Sequence, residues 1–210
     1  MDGKPVIRVV SDVVCPWCYI GKRRLEKALE IMGRNDVRIH WTAFQLNPNA
    51  PPEGWNRREY RAAKFGSLEV SSRLEERVVA AAAQEGLHFR FDRVEKTPNT
   101  FDAHRLIWAA GNEGVQDAVV EALFHAYFVE GRNVGDRAVL REIGKNNGLS
   151  DLFDTDLGTA EVAREEAEAR AQGVSGVPTF FVKGEPLTSG AHPPELLASM
   201  LDIRRLDMRR

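Results

Sequence analysis

The sequence predicts an α/β fold in which a small sheet-forming unit is interrupted by a long helical block. Three observations carry this. An apolar run, a helical stretch and a second apolar run open the chain as β-α-β. Period-two patterning then disappears between about residues 56 and 172. It returns near the end as β-β-α.

The opening elements follow from spacing. "KPVIRVVSD" is a short continuous apolar run of the kind that forms a buried strand. "PWCYIGKRRLEKALEIMGR" shifts to helical spacing, with Trp17, Ile20, Leu25, Ala28, Leu29 and Met32 three to four apart and Gly33 as the stop. "DVRIHWTAF" alternates, placing Val37, Ile39, Trp41 and Ala43 on one face and Arg38, His40, Thr42 and Phe44 on the other. A helical crossover between such strands makes them parallel.

"QLNPNAPPEGW" is a Pro- and Asn-rich loop that leaves the sheet. Successive helices are then expected over 57–65, 68–84, 101–112, 115–129, 137–146 and 160–172, with no strand among them. Gly66, Gly86, Gly148 and Gly173 suit C-caps; Thr100, Asp136 and Thr159 suit N-caps. In "GVSGVPTFFVKGEPLTSG", 179–182 and 185–189 read as a hairpin turning at Lys183-Gly184. "PPELLASMLDIRRL" begins a last helix with Pro and continues through Leu196, Leu197, Met200, Leu201 and Leu206.

Composition narrows the function. With 43% hydrophobic and 29% charged residues and a net charge of −2, the chain has no single-sign field to draw nucleic acid or an anionic membrane. The basic tail "IRRLDMRR" reads as the solvated end of a helix. No apolar stretch is long enough to span a bilayer, and the first residues carry no signal-peptide pattern, so a cytoplasmic location is expected. Reducing pools disfavour a structural disulfide there.

The two cysteines, Cys15 and Cys18, enclose only Pro16 and Trp17, and they sit where the first strand gives way to the first helix. If Cys15 caps the helix with Pro16 at the first helical position, its sulfur faces unpaired N–H groups and the positive end of the helix dipole. Both favour the thiolate, the attacking species in disulfide exchange. Each pH unit of such a shift is about 1.4 kcal/mol in favour of the anion. Cys18, one turn on, is placed to resolve a mixed disulfide. Trp17 offers an apolar platform beside the sulfur, or packs at the helix base. Half of a zinc site, inert buried thiols and a structural disulfide compete with this reading. No second cysteine pair or short histidine spacing supports zinc.

"VCPWCYIG" and the late "SGVPTFFV" together resemble the DsbA-like branch of the thioredoxin superfamily. "FQLNP", "NTFDAHRL", "LFHAYFVEGRNVGD" and "SGAHPPE" extend the resemblance to its FrnE-like subgroup along nearly the whole chain. The resemblance implies a thioredoxin-like fold over 1–50 and 174–210 with an inserted all-helical domain over 51–173. It implies that Pro178 is a cis-proline facing the active disulfide. Val177 would then present its backbone beside Cys15, where an extended peptide or glutathione can pair as an added strand. Without the family, Pro178 reads as a strand-start proline.

The expected activity is thiol-disulfide exchange on protein or glutathione disulfides, with no metal or organic cofactor and glutathione as a candidate co-substrate. The related kappa-class glutathione transferases and 2-hydroxychromene-2-carboxylate isomerases typically carry serine at the first cysteine. A glutathione-dependent transferase or isomerase is therefore the alternative. Close relatives of this kind are often dimers, and no stretch identifies an interface.

Five other features carry weaker signals. Asn47 and Asn99 could bind a carboxylate across a cleft, although such residues more often shape turns. His104 reads as an interface histidine rather than a base. "SGAHPP", with Gly190, Ala191 and His192, is an anion site or simply a turn. The acidic run around Glu165 reads as a solvated helix face.

Overall fold

The computed structural model describes residues 4–201. Strand β1 (Val6–Ser11), helix α1 (Pro16–Ile31) and strand β2 (Arg38–Ala43) form the opening unit. β1 and β2 pair in parallel from Val6 opposite Arg38 to Ser11 opposite Ala43. The chain returns through β5 (Thr179–Val182), which runs antiparallel to β1, and β6 (Glu185–Ser189), which completes a hairpin. The resulting sheet has the order β2-β1-β5-β6. Helix α8 (Pro194–Met200) packs on α1. Leu206 and the basic tail lie outside the described residues.

The block between β2 and β5 contains α2 (Arg57–Phe65), α3 (Leu68–Gln84), α4 (Phe101–Asn112), α5 (Gln116–His125), α6 (Arg137–Asn146) and α7 (Thr159–Ala171). Asn56 and Ser67 cap α2 and α3 by accepting from the Glu59 and Val70 N–H groups at 3.2 Å each. Asp136 caps α6 by accepting from the Ala138 N–H at 2.8 Å.

Three expectations about the helical block's elements are corrected. The block is not free of strand: β3 (Trp55–Asn56) and β4 (Lys96–Thr97) form a two-residue antiparallel ladder that closes the ends of the α2–α3 segment. The helix expected over 115–129 stops at His125 and widens into a π turn over Ala126–Glu130, which ends at Gly131 with φ of 77°. At the start of α7, left-handed Gly158 occupies the cap position and Thr159 is the first helical residue.

The core runs continuously from the sheet into the helical block. Tyr19, one residue after Cys18, stacks on Phe124 at 4.9 Å and on Phe89 at 5.8 Å between ring centroids. Such aromatic pairs fix orientation as well as burying area. The Cys15–Cys18 turn is therefore held from below by the helical block. Helices α4, α5 and α7 pack on β2, so Trp41 through Phe44 are all buried and the expected two-faced alternation is covered on both sides.

The outer edge of β2 is closed by side chains. Gln116 accepts from the Trp41 N–H at 2.9 Å and donates to its carbonyl at 3.0 Å. Glu165 accepts from the Ala43 N–H at 3.0 Å, and Glu166 accepts from the Gln45 N–H at 3.1 Å. The acidic run of α7 is thus solvated only in part: Glu168 is exposed, while Glu165 and Glu166 turn to the β2 edge. These two carboxylates satisfy backbone donors that would otherwise be buried unpaired.

Candidate active site

The end of β1 and the start of α1 position both cysteines. Asp12 ends the strand, and its carbonyl accepts from the Cys15 N–H at 3.0 Å. Cys15 is extended (φ −92°, ψ 111°) and occupies the helix cap, with Pro16 at the first helical position. Its side chain makes no capping hydrogen bond, and Cys15 is 5% exposed. The Cys18 N–H donates to the Cys15 carbonyl at 3.0 Å, so the second thiol lies one turn behind the first.

The Val177–Pro178 peptide is cis. The Cys15 thiol donates to the Val177 carbonyl at 3.5 Å. The four elements β1, α1, β5 and the segment leading into β5 therefore converge on one sulfur. Cys18 is fully buried, and that burial pushes its thiol well above the ordinary value. Its hydrogen bond to Cys15 and the charge of Cys15 push the same way.

A cleft of about 630 Å³ opens beside Cys15, between the Cys-Pro-Trp-Cys turn and helices α2 and α3. Trp17 lines it and is 37% exposed, so this ring belongs to the cleft wall and not to the helix base. Val14, Leu46, Val78 and Phe128 supply apolar lining. Arg57, Arg61, Lys64 and Arg77 face it against the carboxylate of Glu75. Glu75 answers two of these cations. It pairs with Arg57 and, at 2.8 Å, with Arg61. Among the described residues, Lys64 and Arg77 have no carboxylate partner.

Asn47 lines this cleft and accepts from the Tyr60 hydroxyl at 2.5 Å, which in turn accepts from Lys64 at 2.6 Å. Asn99 is elsewhere. It accepts from Gln45 at 3.1 Å and from the Phe101 N–H at 2.9 Å, and it donates to the Ala50 carbonyl at 2.9 Å. These bonds make it a structural clasp for the 45–50 loop. His192 is tied within its own turn to Thr188 at 2.8 Å and to the Ser189 carbonyl at 3.0 Å. His104 is buried beside Asp12. Among the described residues, no cluster of three or more His, Cys, Asp or Glu side chains is placed to hold a metal, and no helix is long and apolar enough to cross a membrane.

Sequence reasoning missed Asp12 and the cationic wall. Asp12 carried a signal: an acid inside "VVSDVVC" interrupts an otherwise apolar run, and a buried acid needs donors. The wall carried none, because Arg57, Arg61, Lys64 and Arg77 meet the cysteine turn only through the packing of α2 and α3.

Comparison with known proteins agrees with this arrangement. A probable DsbA oxidoreductase of Streptomyces coelicolor is 33% identical, and the match covers 94% of this chain and 88% of that one with a TM-score of 0.82. A 2-hydroxychromene-2-carboxylate isomerase shares the fold at 18% identity and a TM-score of 0.71, over 93% of this chain and 94% of that one. The cytosolic disulfide reductase DsbM of Pseudomonas aeruginosa, solved with glutathione, shares it at 20% identity and a TM-score of 0.64, over 93% and 96%. Residues 6–202 match the model of the DSBA-like thioredoxin domain, a span that takes in the cysteine turn, the helical block and the closing β-β-α unit alike. With that span matched from the first strand to the last helix, the chain belongs to the DsbA-like thioredoxin-domain family.

Proposed function

We propose that the chain is a thiol-disulfide oxidoreductase in which Cys15 attacks and Cys18 resolves. The observation that carries this is the placement of Cys15 at a helix cap, 3.5 Å from the Val177 carbonyl, with a fully buried second thiol one turn behind. In the reducing direction the Cys15 thiolate attacks a substrate disulfide and expels one substrate thiolate. The Cys18 thiolate then attacks the Cys15 sulfur, forms the Cys15–Cys18 bond and releases the second. The Val177 backbone and Pro178 form the wall along which an extended substrate lies, and Trp17 forms the other side.

The substrate class follows from the cleft. An apolar lining with Lys64 and Arg77 unanswered suits a disulfide that carries carboxylates, either oxidised glutathione or an acidic protein segment. Glutathione bound to the cytosolic reductase DsbM supports the same choice, and its cytosolic setting supports a reducing compartment for this chain. The motifs shared with the FrnE-like subgroup support that finer placement. Residues 1–50 and 174–210 then form the catalytic half, and 51–173 the insertion that supplies the cationic wall.

Reduction of insulin or of oxidised glutathione tests the reading. Cys15→Ser is expected to abolish turnover, and Cys18→Ser to trap a mixed disulfide detectable by mass spectrometry. Wild-type turnover by Cys15→Ser defeats the proposal. The likeness to the isomerase favours a second reading, a glutathione-dependent isomerase or transferase. That reading predicts full turnover by Cys18→Ser.

A further inference from the structure

The cleft beside Cys15 holds one acid among four cations. Arg57, Arg61 and Lys64 stand at i, i+4 and i+7 on α2, which places all three on one face of that helix. Arg77 adds a fourth charge from α3. Glu75, also on α3, is the single carboxylate lining the cleft among the described residues.

The two arginines that face Glu75 are fixed by other contacts. The Arg57 guanidinium lies 4.9 Å over the Phe91 ring. The Arg61 guanidinium lies 4.7 Å over the Phe65 ring, and its Nε donates to the Ser71 hydroxyl at 2.7 Å. Such stacking and hydrogen bonding hold a guanidinium in place without a carboxylate. Glu75 fills the resulting fork incompletely. Arg57 donates to its Oε1, and the Arg61 Nε, already committed to Ser71, lies 2.8 Å from that same oxygen. A carboxylate free of the α3 backbone can offer one oxygen to each guanidinium, and paired bonds of this kind are the stronger arrangement.

Glu75 also has room to turn. A second cavity of about 560 Å³ lies beyond the same side chains, and Arg57, Arg61, Glu75 and Phe91 line both spaces. These four residues therefore form the partition between them. In the second cavity Arg58 has no carboxylate partner among the described residues. Of the acids there, Asp92 is paired with Arg90, and Glu95 is the other.

We propose that Glu75 is an internal stand-in for a substrate carboxylate: it holds the Arg57–Arg61 fork and yields it to a carboxylate of the incoming disulfide by turning into the second cavity. The inference deepens the reading that this cleft takes carboxylate-bearing disulfides, and it rests on that reading. Two partly buried cations need a counter-charge, and the chain supplies its own. An acidic disulfide that reached the fork with Glu75 still in place would meet a like charge at close range, which exchange relieves. A disulfide without carboxylates cannot release Glu75 and leaves the partition shut. Glu75 is thus a specificity-determining residue.

The test is calorimetric titration of the full chain, carrying Cys15→Ser and Cys18→Ser to prevent reaction, with oxidised glutathione and with cystamine. Adding Glu75→Gln keeps the side-chain length and an oxygen for Arg57. It is expected to tighten oxidised glutathione by roughly fivefold and to weaken cystamine. A merely structural role predicts something else, because lost ion pairs would loosen α2 from α3 and weaken both ligands. Arg57→Gln is expected to weaken oxidised glutathione by roughly fivefold without weakening cystamine, and it carries the test if Glu75→Gln does not fold. Oxidised glutathione that binds folded Glu75→Gln within twofold of the parent, or more weakly, overturns the proposal. Equal weakening of both ligands by Arg57→Gln does the same. Failure of the underlying reading looks different: the parent chain would then bind cystamine as tightly as oxidised glutathione, and the proposal falls with it.

Discussion

Gly21 and Pro178 meet at a distance that leaves no room for a side chain. A Cβ on Gly21 would stand 2.9 Å from the Pro178 Cγ and 3.6 Å from the Phe180 ring. Helix α1 therefore packs its bare backbone on the segment whose Val177 carbonyl faces Cys15. Alanine normally favours a helix over glycine by about 1 kcal/mol. Here the overpacking wins, and Gly21→Ala is expected to cost about 1–3 kcal/mol net and to slow disulfide exchange. Denaturant unfolding checks the first and oxidised-glutathione turnover the second. A variant more stable than wild type would refute the contact.

Resolution is expected to quicken with pH. Burial, then Cys15, raise the Cys18 thiol well above the ordinary value, so the reactive anion is scarce at neutrality. In single turnover of the reduced chain with 2,2′-dipyridyl disulfide, release of the second pyridinethione, which reports attack by Cys18, should therefore rise by about tenfold per pH unit until the thiol is ionised. The same shift makes the reduced protein lose stability at high pH. The raised group contributes fully below the ordinary thiol value, and its contribution falls away as pH climbs through the folded value. Parallel release and unfolding series from neutral to alkaline pH measure both.

Glu85 clamps α1 to the end of α3. Its side chain is 6% exposed and accepts from Arg24 at 2.6 Å and from Lys27 at 2.7 Å. Burial alone would raise its carboxyl, yet the two cations hold it below the usual range. Its stabilisation is present above the ordinary carboxylate value and is lost as pH falls through the folded one. Glu85→Gln is expected to cost about 1–3 kcal/mol at neutral pH and less in acid. Urea melts at pH 7 and pH 4 test the difference. An equal cost at both would count against the clamp.

Lys64 and Arg77 give the cleft its charge preference. Lys64→Glu and Arg77→Glu are each expected to raise KM for oxidised glutathione about fivefold, or about 1 kcal/mol, with little change in kcat. A cationic disulfide such as cystamine should show the opposite trend. Rising salt should erase both. Identical KM shifts for the two substrates would remove charge as the cause.

Much of this architecture could be read from spacing. The apolar run 179–182 followed by the Lys183-Gly184 turn predicts the 179–182 and 185–189 hairpin, and the caps at Asp136 and Gly66 bound their helices. The β3–β4 ladder was not legible, because two residues have no period and its partners lie some forty positions apart. The turn at 126–130 was hidden for another reason: "AYFVE" has good helical spacing, and only its meeting with Tyr19 and Phe89 distinguishes it. The cysteine turn could be read as chemistry because its residues are neighbours in sequence. The pairing of Asp12 with His104 could not, since the end of β1 and α4 bring them together from distant parts of the chain.

The carboxylates and the glutamine along β2 bear on how copies of this protein can associate. Gln116, Glu165 and Glu166 occupy the hydrogen-bonding positions that an incoming strand would need. An extended segment from another molecule finds the amides of Trp41, Ala43 and Gln45 already claimed, which disfavours strand addition along that part of the edge without proline or a bulge. Self-association through the backbone is left to the β6 side of the sheet, where Pro186 and the shift of register between Phe180 and Phe181 already break the template.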